Sequence, residues 1–442
     1  MKITVIGGAG YVGLTTSVCL AVRGNTVYCV DKNVQRIRCL RTGKPTIYEE
    51  SLDELIRDTL NKGTFIPSMN CKDAVRHSQV IFICVGTPSQ HDGSIDLSQV
   101  EGASKEIGLA LSKDGEYKVI VVKSTVVPGT TEELVIPKIE EFSNKKAGIH
   151  FGVCTNPEFL REGRAVKDFL FPKEAGIIIG ELDEKSGNTL QSIYKEFDAE
   201  IVRTSIKAAE MIKYTRNSYL AKDISFANEI ANICQKFGID YLEVKKGTEM
   251  DARIGKGRFL DAGAGFGGSC FPKDVKSLIA KAKKMGVRTR ILDSTLQVNC
   301  AQPHMLVRLT AQVLGKLKDK KIAVLGLAFK SDTDDMREAP SIEIVNSLLL
   351  KGAEIFAYDP QAMENARKIF GNRLSYSRTA TEALKNADAC IIVTEWPQFG
   401  DPKLYQNMKS KIIVDGRRVL DPNKLEHGFL YQAIGFPGVL KT

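Results

Sequence analysis

The sequence predicts an α/β chain in which two doubly wound domains are joined by a central all-helical segment with a long bridging helix. Three observations carry this. Residues 2–31 read as strand, glycine turn, helix, strand and acid, the order of a βαβ unit. A similar phrase returns at Lys321, and between the two lies a proline-free stretch of helical periodicity over 207–237. A length of 442 residues, at about 100 to 200 per domain, allows two or three domains. The expected division is 1–206, 207–316 and 317–442.

In chain order, Lys2-Ile-Thr-Val-Ile6 is the first strand, 11–23 a helix, and 26–30 a second strand reaching Asp31. Gly8-x-Gly10-x-x-Gly13 sits between strand and helix, the context in which this motif is informative. Its first glycine makes the tight turn, the second lets backbone approach phosphates, and the third lets helix and strand pack closely. The pyrophosphate then meets the helix N-terminus, as in a Rossmann-like domain. Asp31 lies 18 residues beyond Gly13, where a carboxylate accepts from both ribose hydroxyls and repels a 2′-phosphate. NAD is therefore favoured over NADP, a preference that Lys32 and Arg36 soften. A glycine turn without a ligand is the bland alternative.

Apolar runs at 80–85, 119–122 and 149–154 are further strands, alternating with helical stretches. They end at Gly86-Thr87-Pro88, Lys123-Ser124-Thr125 and Asn156-Pro157-Glu158-Phe159-Leu160-Arg161-Glu162-Gly163. All three fall at the carboxyl edge of a parallel sheet, where ligands bind. Hydroxyls there bond a cofactor or, equally, cap a helix.

On the long helix, Glu210, Lys213 and Asn217 are spaced i, i+3 and i+7, on one face. An amine and an amide there could hold a hydroxyl or a developing oxyanion, although a solvated face is the commoner reading. A second helical stretch, 292–314, is expected to be interrupted at Pro303.

Gly263-Ala-Gly265-Phe-Gly267-Gly268-Ser-Cys270-Phe-Pro272-Lys273-Asp274 is the most informative segment. Its glycines are expected to clear side chains from the sulfur. Pro272 suits the first position of a helix, which places Cys270 just before a helix N-terminus, where a thiolate is favoured. Asp274, four residues on, could orient a water or take a proton.

From 321 the opening phrase is echoed by Lys321-Ile-Ala-Val-Leu325, Gly326 and a later run ending at Asp359. The turn Gly326-Leu-Ala-Phe329 lacks the later glycines, so this domain holds a different ligand or holds it differently. Arg337, Arg417 and Arg418 are candidates for phosphate contacts.

Composition narrows the classes. With 43% hydrophobic and 26% charged residues the chain is an ordinary globular protein, which excludes disorder and collagen. The net charge of +9 carries no arm-like basic block, and phosphorylated small ligands explain it without nucleic acid. Ten cysteines without a CxxC pair argue against zinc and for a reduced, cytoplasmic setting. No apolar run approaches the roughly 18 residues of a membrane span, and no signal peptide is visible.

Taken in order, these motifs resemble the UDP-glucose/GDP-mannose dehydrogenase family, over nearly the whole chain. The resemblance rests also on Phe329-Lys330, Thr333-Asp-Asp-Met-Arg337 and Asp415-Gly-Arg-Arg418. It implies oxidation of a sugar C6 hydroxyl to a carboxylate with two NAD reduced in sequence, through a cysteine thiohemiacetal and thioester. By similarity Cys270 is the nucleophile, Lys213 and Asn217 steady oxyanions, Asp274 supports water and proton traffic, and Glu158 and Thr125 take further proton-transfer or water-positioning roles.

The same resemblance brings NAD to Val12, Asp31, Thr87, Thr125, Glu162, Lys273 and Arg337, beside Gly8, Gly10, Gly13 and Arg36 of the glycine-turn reading. It brings the sugar nucleotide to Phe159, Leu160, Arg161, Glu162, Lys213, Asn217, Phe259, Leu260, Asp261, Ala262, Gly263, Gly267, Lys330 and Arg417. Arg253 resembles an arginine that reaches the sugar from a neighbouring subunit, implying a homodimer or an assembly of dimers. UDP-glucose fits the Ser-Cys-Phe-Pro-Lys-Asp phrase best, and GDP-mannose is the runner-up. A catalytically silent nucleotide-binding protein is the remote alternative. The chain departs from the family pattern at the additional Gly7, at Lys256-Gly257, and over 172–180, where an arginine usual in the family is missing.

Overall fold

The computed structural model describes residues 1–112, 115–257 and 259–441. It divides into two compact units, Met1–Arg216 and Asn217–Thr442. As expected, each is built on a mainly parallel sheet of Rossmann-like order.

The first sheet comprises β1 (Lys2–Ile6), β2 (Thr26–Val30), β3 (Phe65–Ser68), β4 (Val80–Ile83), β5 (Lys118–Val122), β6 (Phe151–Thr155), β7 (Ile177–Glu181) and β8 (Ile201–Ser205). Their spatial order is β3-β2-β1-β4-β5-β6-β7-β8. All neighbours pair in parallel except β6 and β7. The apolar runs are uninterrupted because helices cover both faces. Along β4 the side chains alternate between two cores: Val80 and Phe82 join Val5 and Cys29, whereas Ile81 and Ile83 join Ile6 and Ile107. The helix Tyr11–Val22 is buried from Gly13 through Ala21 and packs against β2 and β1.

The order reverses between β1 and β4, the topological switch point at which open α/β sheets bind ligands. The turns after β4, β5 and β6 leave the carboxyl ends of adjacent parallel strands, so Thr87, Thr125 and Glu158 share one edge.

The second sheet comprises β9 (Lys321–Leu325), β10 (Glu354–Tyr358), β11 (Ser375–Tyr376), β12 (Ala389–Ile392), β13 (Ile412–Asp415), β14 (Leu430–Ala433) and β15 (Leu440–Lys441). Its order is β11-β10-β9-β12-β13-β14-β15, with only β14 and β15 antiparallel. One face packs on the central helices. Ala227, Ala231 and Cys234 from the helix Ile206–Phe237, with Leu306 and Val307 from the helix Arg290–Leu314, share a core with Ile322 and Val324.

The expected interruption at Pro303 does not occur, and the helix Arg290–Leu314 runs through it. A proline there forfeits one backbone hydrogen bond. Buried Leu306, Val307 and Leu309 just beyond it keep the helix docked, each burial contributing about 1.5–3 kcal/mol.

Candidate functional site

The first unit carries a dinucleotide cradle. Gly7, the additional glycine, adopts φ +78°, and a Cβ there would lie 2.7 Å from the Cys84 carbonyl oxygen. Its own carbonyl accepts from Gly10 N at 3.1 Å, and a Cβ on Gly13 would approach it to 2.1 Å. The turn therefore tolerates no side chain at either position. A Cβ on Gly10 would meet nothing closer than the Gly7 oxygen at 3.4 Å, so backbone is open to a ligand there. No side chain caps the N-terminus of the helix Tyr11–Val22, which leaves its amides and positive dipole end available to phosphates.

Asp31 is half-buried, with Oδ2 accepting from Ala9 N at 3.1 Å and Oδ1 from Asn33 N at 2.9 Å. One bond per oxygen orients the carboxylate and leaves lone pairs for ribose hydroxyls. These features fit NAD. Lys32 is drawn off by Glu106 at 2.8 Å, and Arg36 is exposed.

At the same sheet edge the Thr87 hydroxyl donates to the Thr125 carbonyl at 2.9 Å, tying the turns after β4 and β5 together. Lys213 is buried and its Nζ donates to the Glu158 carbonyl at 2.7 Å and to Oε1 at 2.9 Å. Burial pushes the Glu158 carboxyl up, but Lys213, the Leu160 N–H and Lys123 together outweigh it and hold it below the usual glutamate value. The pair is thus a buried carboxylate and ammonium. Phe159 lies between two cations of the helix Ile206–Phe237, with Lys213 5.4 Å and Arg216 4.1 Å from its ring centre. Glu210, on the same helix, is spent on the Gly129 and Thr131 amides at 2.6 and 2.9 Å.

In the second unit, Cys270 is the residue immediately before the helix Phe271–Lys284, as expected. Pro272 occupies its second position, not its first. The thiol is half-buried, 3.4 Å from the Ser269 hydroxyl. Asp274 is buried and accepts from Asn217 Nδ2 at 2.6 Å and from Lys273. The helix thus starts with Cys270 and Asp274 one turn apart.

The glycines before Cys270 do not serve chiefly to clear the sulfur. A Cβ on Gly267 would lie 2.4 Å from the Glu338 oxygen, and one on Gly268, at φ +83°, would lie 2.9 Å from the Phe329 ring. They let the loop backbone pack against the segment after β9. Arg417 reinforces this, donating to the carbonyls of Val393, Gly265 and Phe329 at 2.9, 3.4 and 3.3 Å. Lys330 follows Phe329 and is half-buried.

Several arginines expected at ligands are engaged elsewhere. Arg418 pairs in bidentate fashion with Asp240 at 2.8 and 2.9 Å, which corrects its reading as a phosphate ligand. Arg337 lies on Asp335 at 2.9 and 2.7 Å, Arg161 on Asp168 at 2.9 and 2.6 Å, and the exposed Arg253 on Asp251 at 3.0 and 2.6 Å. Each of these three is outward enough to exchange its partner for a ligand.

Three residues had no reading in the sequence. Glu49 is buried and accepts from Gly163 N at 2.5 Å, Ala165 N at 2.9 Å and the Tyr11 hydroxyl, fixing the turn after β6. Arg216 donates to the Ala175 carbonyl at 2.7 Å, entering from the long helix the 172–180 segment that lacks its usual arginine. Lys123 is buried and donates to Asn156.

The first unit carries a dinucleotide cradle and a buried ammonium–carboxylate pair and the second unit a helix-terminal thiol, the residue set of an NAD-dependent oxidoreductase. The comparisons make the class specific. The family model for the UDP-glucose/GDP-mannose dehydrogenase NAD binding domain matches residues 1–198, that for the central domain 207–301, and that for the UDP binding domain 323–422. The chain belongs to this family, and is an NAD-dependent nucleotide-sugar dehydrogenase.

Among its relatives, UDP-glucose 6-dehydrogenase TuaD of Bacillus subtilis is 39% identical over 100% of this chain and 94% of its own. UDP-glucose 6-dehydrogenase AglM of Haloferax volcanii is 40% identical over 95% and 97%. The structure of a UDP-glucose dehydrogenase from Pyrobaculum islandicum superposes with a TM-score of 0.90 at 38% identity, covering 98% of this chain and 97% of that one. No helix among the described residues is long and apolar enough to cross a membrane, and no His/Cys/Asp/Glu group there could hold a metal.

Proposed function

We propose that this enzyme oxidises the C6 hydroxyl of UDP-glucose to the carboxylate of UDP-glucuronate, four electrons in all. When bound, NAD accepts one hydride per step, and two are consumed per sugar. The observation that carries the reading is Cys270, a half-buried thiol at a helix start, in a chain whose curated relatives are named UDP-glucose 6-dehydrogenase.

In this reading the Glu158–Lys213 pair serves the C6 oxygen. Lys213 donates hydrogen bonds to the alkoxide as it forms, and Glu158 or a water held by it and Thr125 takes the hydroxyl proton. The Cys270 thiolate adds to the C6 aldehyde to give a thiohemiacetal, whose oxidation leaves a thioester. Water then attacks the thioester carbonyl, the C–S bond breaks and the thiolate is restored. Asn217 supports the oxyanion, while Asp274 orients the water and receives a proton. Arg417 and Lys330 are assigned to the substrate, with Arg417 doing so while it latches the cysteine loop. The division 1–206, 207–316 and 317–442 is carried into this proposal as cofactor, nucleophile and sugar-nucleotide segments. Arg253, with the exposed Phe226 and Phe237 of the central segment, supports a homodimer, which sedimentation would test.

The decisive experiment counts NADH formed per sugar nucleotide over a panel of UDP-glucose, GDP-mannose and UDP-N-acetylhexosamines. Two equivalents with UDP-glucose, and far less turnover with the others, is the expected result; one equivalent refutes the four-electron course. Cys270→Ala is expected to lower steady-state UDP-glucuronate release by at least about 10³-fold, the scale of losing a covalent nucleophile.

A further inference from the structure

The Lys-Ser-Thr segment after β5 contributes a hydroxyl to the reading above but leaves its lysine unused. Lys123 is 4% exposed, among the most deeply enclosed cations of the chain. Among the described residues it forms no ion pair. Its Nζ donates instead to two oxygens of one residue, Asn156 Oδ1 at 2.8 Å and the Asn156 carbonyl at 3.3 Å, and it faces the Phe169 ring at 5.7 Å. Asn156 is held in turn by Tyr194, whose hydroxyl donates to Oδ1 at 2.6 Å, and by the Ile178 carbonyl at 2.8 Å.

Asn156 lies two residues before Glu158. A cavity of about 40 Å³ is lined by Lys123, Asn156, Glu158, Phe169 and Tyr194, so the residues of the ammonium and the carboxylate border one space. Taking an ammonium out of water costs several kcal/mol, and neutral oxygens compensate less of this than a carboxylate would. A fold that only needed to fill this volume would do so better with methionine.

We propose that Lys123 is a positioning residue for the oxidation: it fixes the Asn156-Pro157-Glu158 turn through both Asn156 oxygens and places a positive charge on the cavity that Glu158 also lines. The groups facing it are Cys84 at the end of β4, Glu158 on the turn after β6, Lys213 on the long helix and Tyr194 beyond the helix Glu184–Ile193. Asp168, which also lines the cavity, is taken up by Arg161. Burial pushes the Lys123 ammonium down to about 8, with Cys84 and Glu158 opposing and Lys213 adding to the shift. It is therefore charged at and below neutrality, where its field favours the Glu158 carboxylate.

The inference rests on the role given to Glu158 and Lys213 above, and the test separates the two. Lys123→Met removes charge and donors; Lys123→Gln removes the charge and keeps N–H donors for Asn156. Without the cation Glu158 holds its proton to higher pH, so the acid limb of the pH profile of NADH formation should move upward in both variants.

Tyr194→Phe breaks the same network without changing charge and should lower the rate with its acid limb unmoved. A parent-like acid limb in both Lys123 variants, or failure of both to fold, would overturn the proposal. A parent enzyme inactive towards every sugar nucleotide would instead overturn the reading on which it rests.

Discussion

The chain contains the same strand order twice, and the two versions treat the acid at the end of the second strand in opposite ways. Asp31 follows β2, is half-buried, and accepts one backbone hydrogen bond on each oxygen. Asp359 follows β10 and is 1% exposed. Its Oδ2 accepts from Leu327 N, Ala328 N and Trp396 Nε1 at 2.7, 3.0 and 3.2 Å, and its Oδ1 from Gln361 N and Ala362 N at 2.8 Å each.

The glycine turns differ in the same sense. A Cβ on Gly10 faces open space, whereas one on Gly326 would lie 2.4 Å from Thr394. Thr394 and Trp396, from the end of β12, fill the second switch point with protein. A Rossmann-like order thus marks where a cradle can form, and the side chains at the reversal decide whether it stays open. The second unit uses its acid to hold its own turn.

The contrast can be broken from either side. Asp359→Ala should have the largest effect, lowering stability by about 3–5 kcal/mol because five donors lose their acceptor. The NAD dissociation constant, measured by titration calorimetry below the new midpoint, should stay within about twofold. A weakened NAD site with intact stability would reverse the two roles.

Gly13→Ala, which places a Cβ against the Gly7 oxygen, should cost about a hundredfold in kcat/KM for NAD, or about 2.7 kcal/mol. Asp31→Ala should raise the KM for NAD about 10- to 30-fold while moving Tm by no more than about 2 °C, since it releases two amides, one of them on exposed Asn33, where Asp359→Ala releases five donors. If its Tm fell as far as that of Asp359→Ala, the acids would be equivalent after all. Arg36→Ala, exposed beside the cradle, should change the KM for NAD by less than about threefold, the smallest effect of the four.

Much of the first unit was legible because its signals are local. Gly8, Gly10 and Gly13 obey steric rules that operate within a few residues, and Asp31 sits at a distance set by one helix and two strands. Cys270 was legible for the same reason, since Pro272 and an amphipathic stretch announce the helix behind it. The purpose of the glycines before it was misread: their Cβ positions are filled by Glu338, Phe329 and Arg417, which are distant in sequence. Arg418 and Pro303 were misread likewise, one because Asp240 lies 178 residues away and the other because packing outweighs a lost hydrogen bond.

Composition, periodicity and the spacing of glycines, acids and the helix-terminal cysteine determined by themselves the two sheets, the cofactor class and the thiol. These depend on chain geometry over fewer than about forty residues, which the order of residues specifies directly. Tertiary structure alone decided which charges are spent and which remain available. It paired Lys213 with Glu158 and Asn217 with Asp274, consumed Asp359 and Arg418, and enclosed Lys123. Those outcomes depend on burial and on partners brought together from distant segments, because a charge leaves water only where the fold supplies something to receive it.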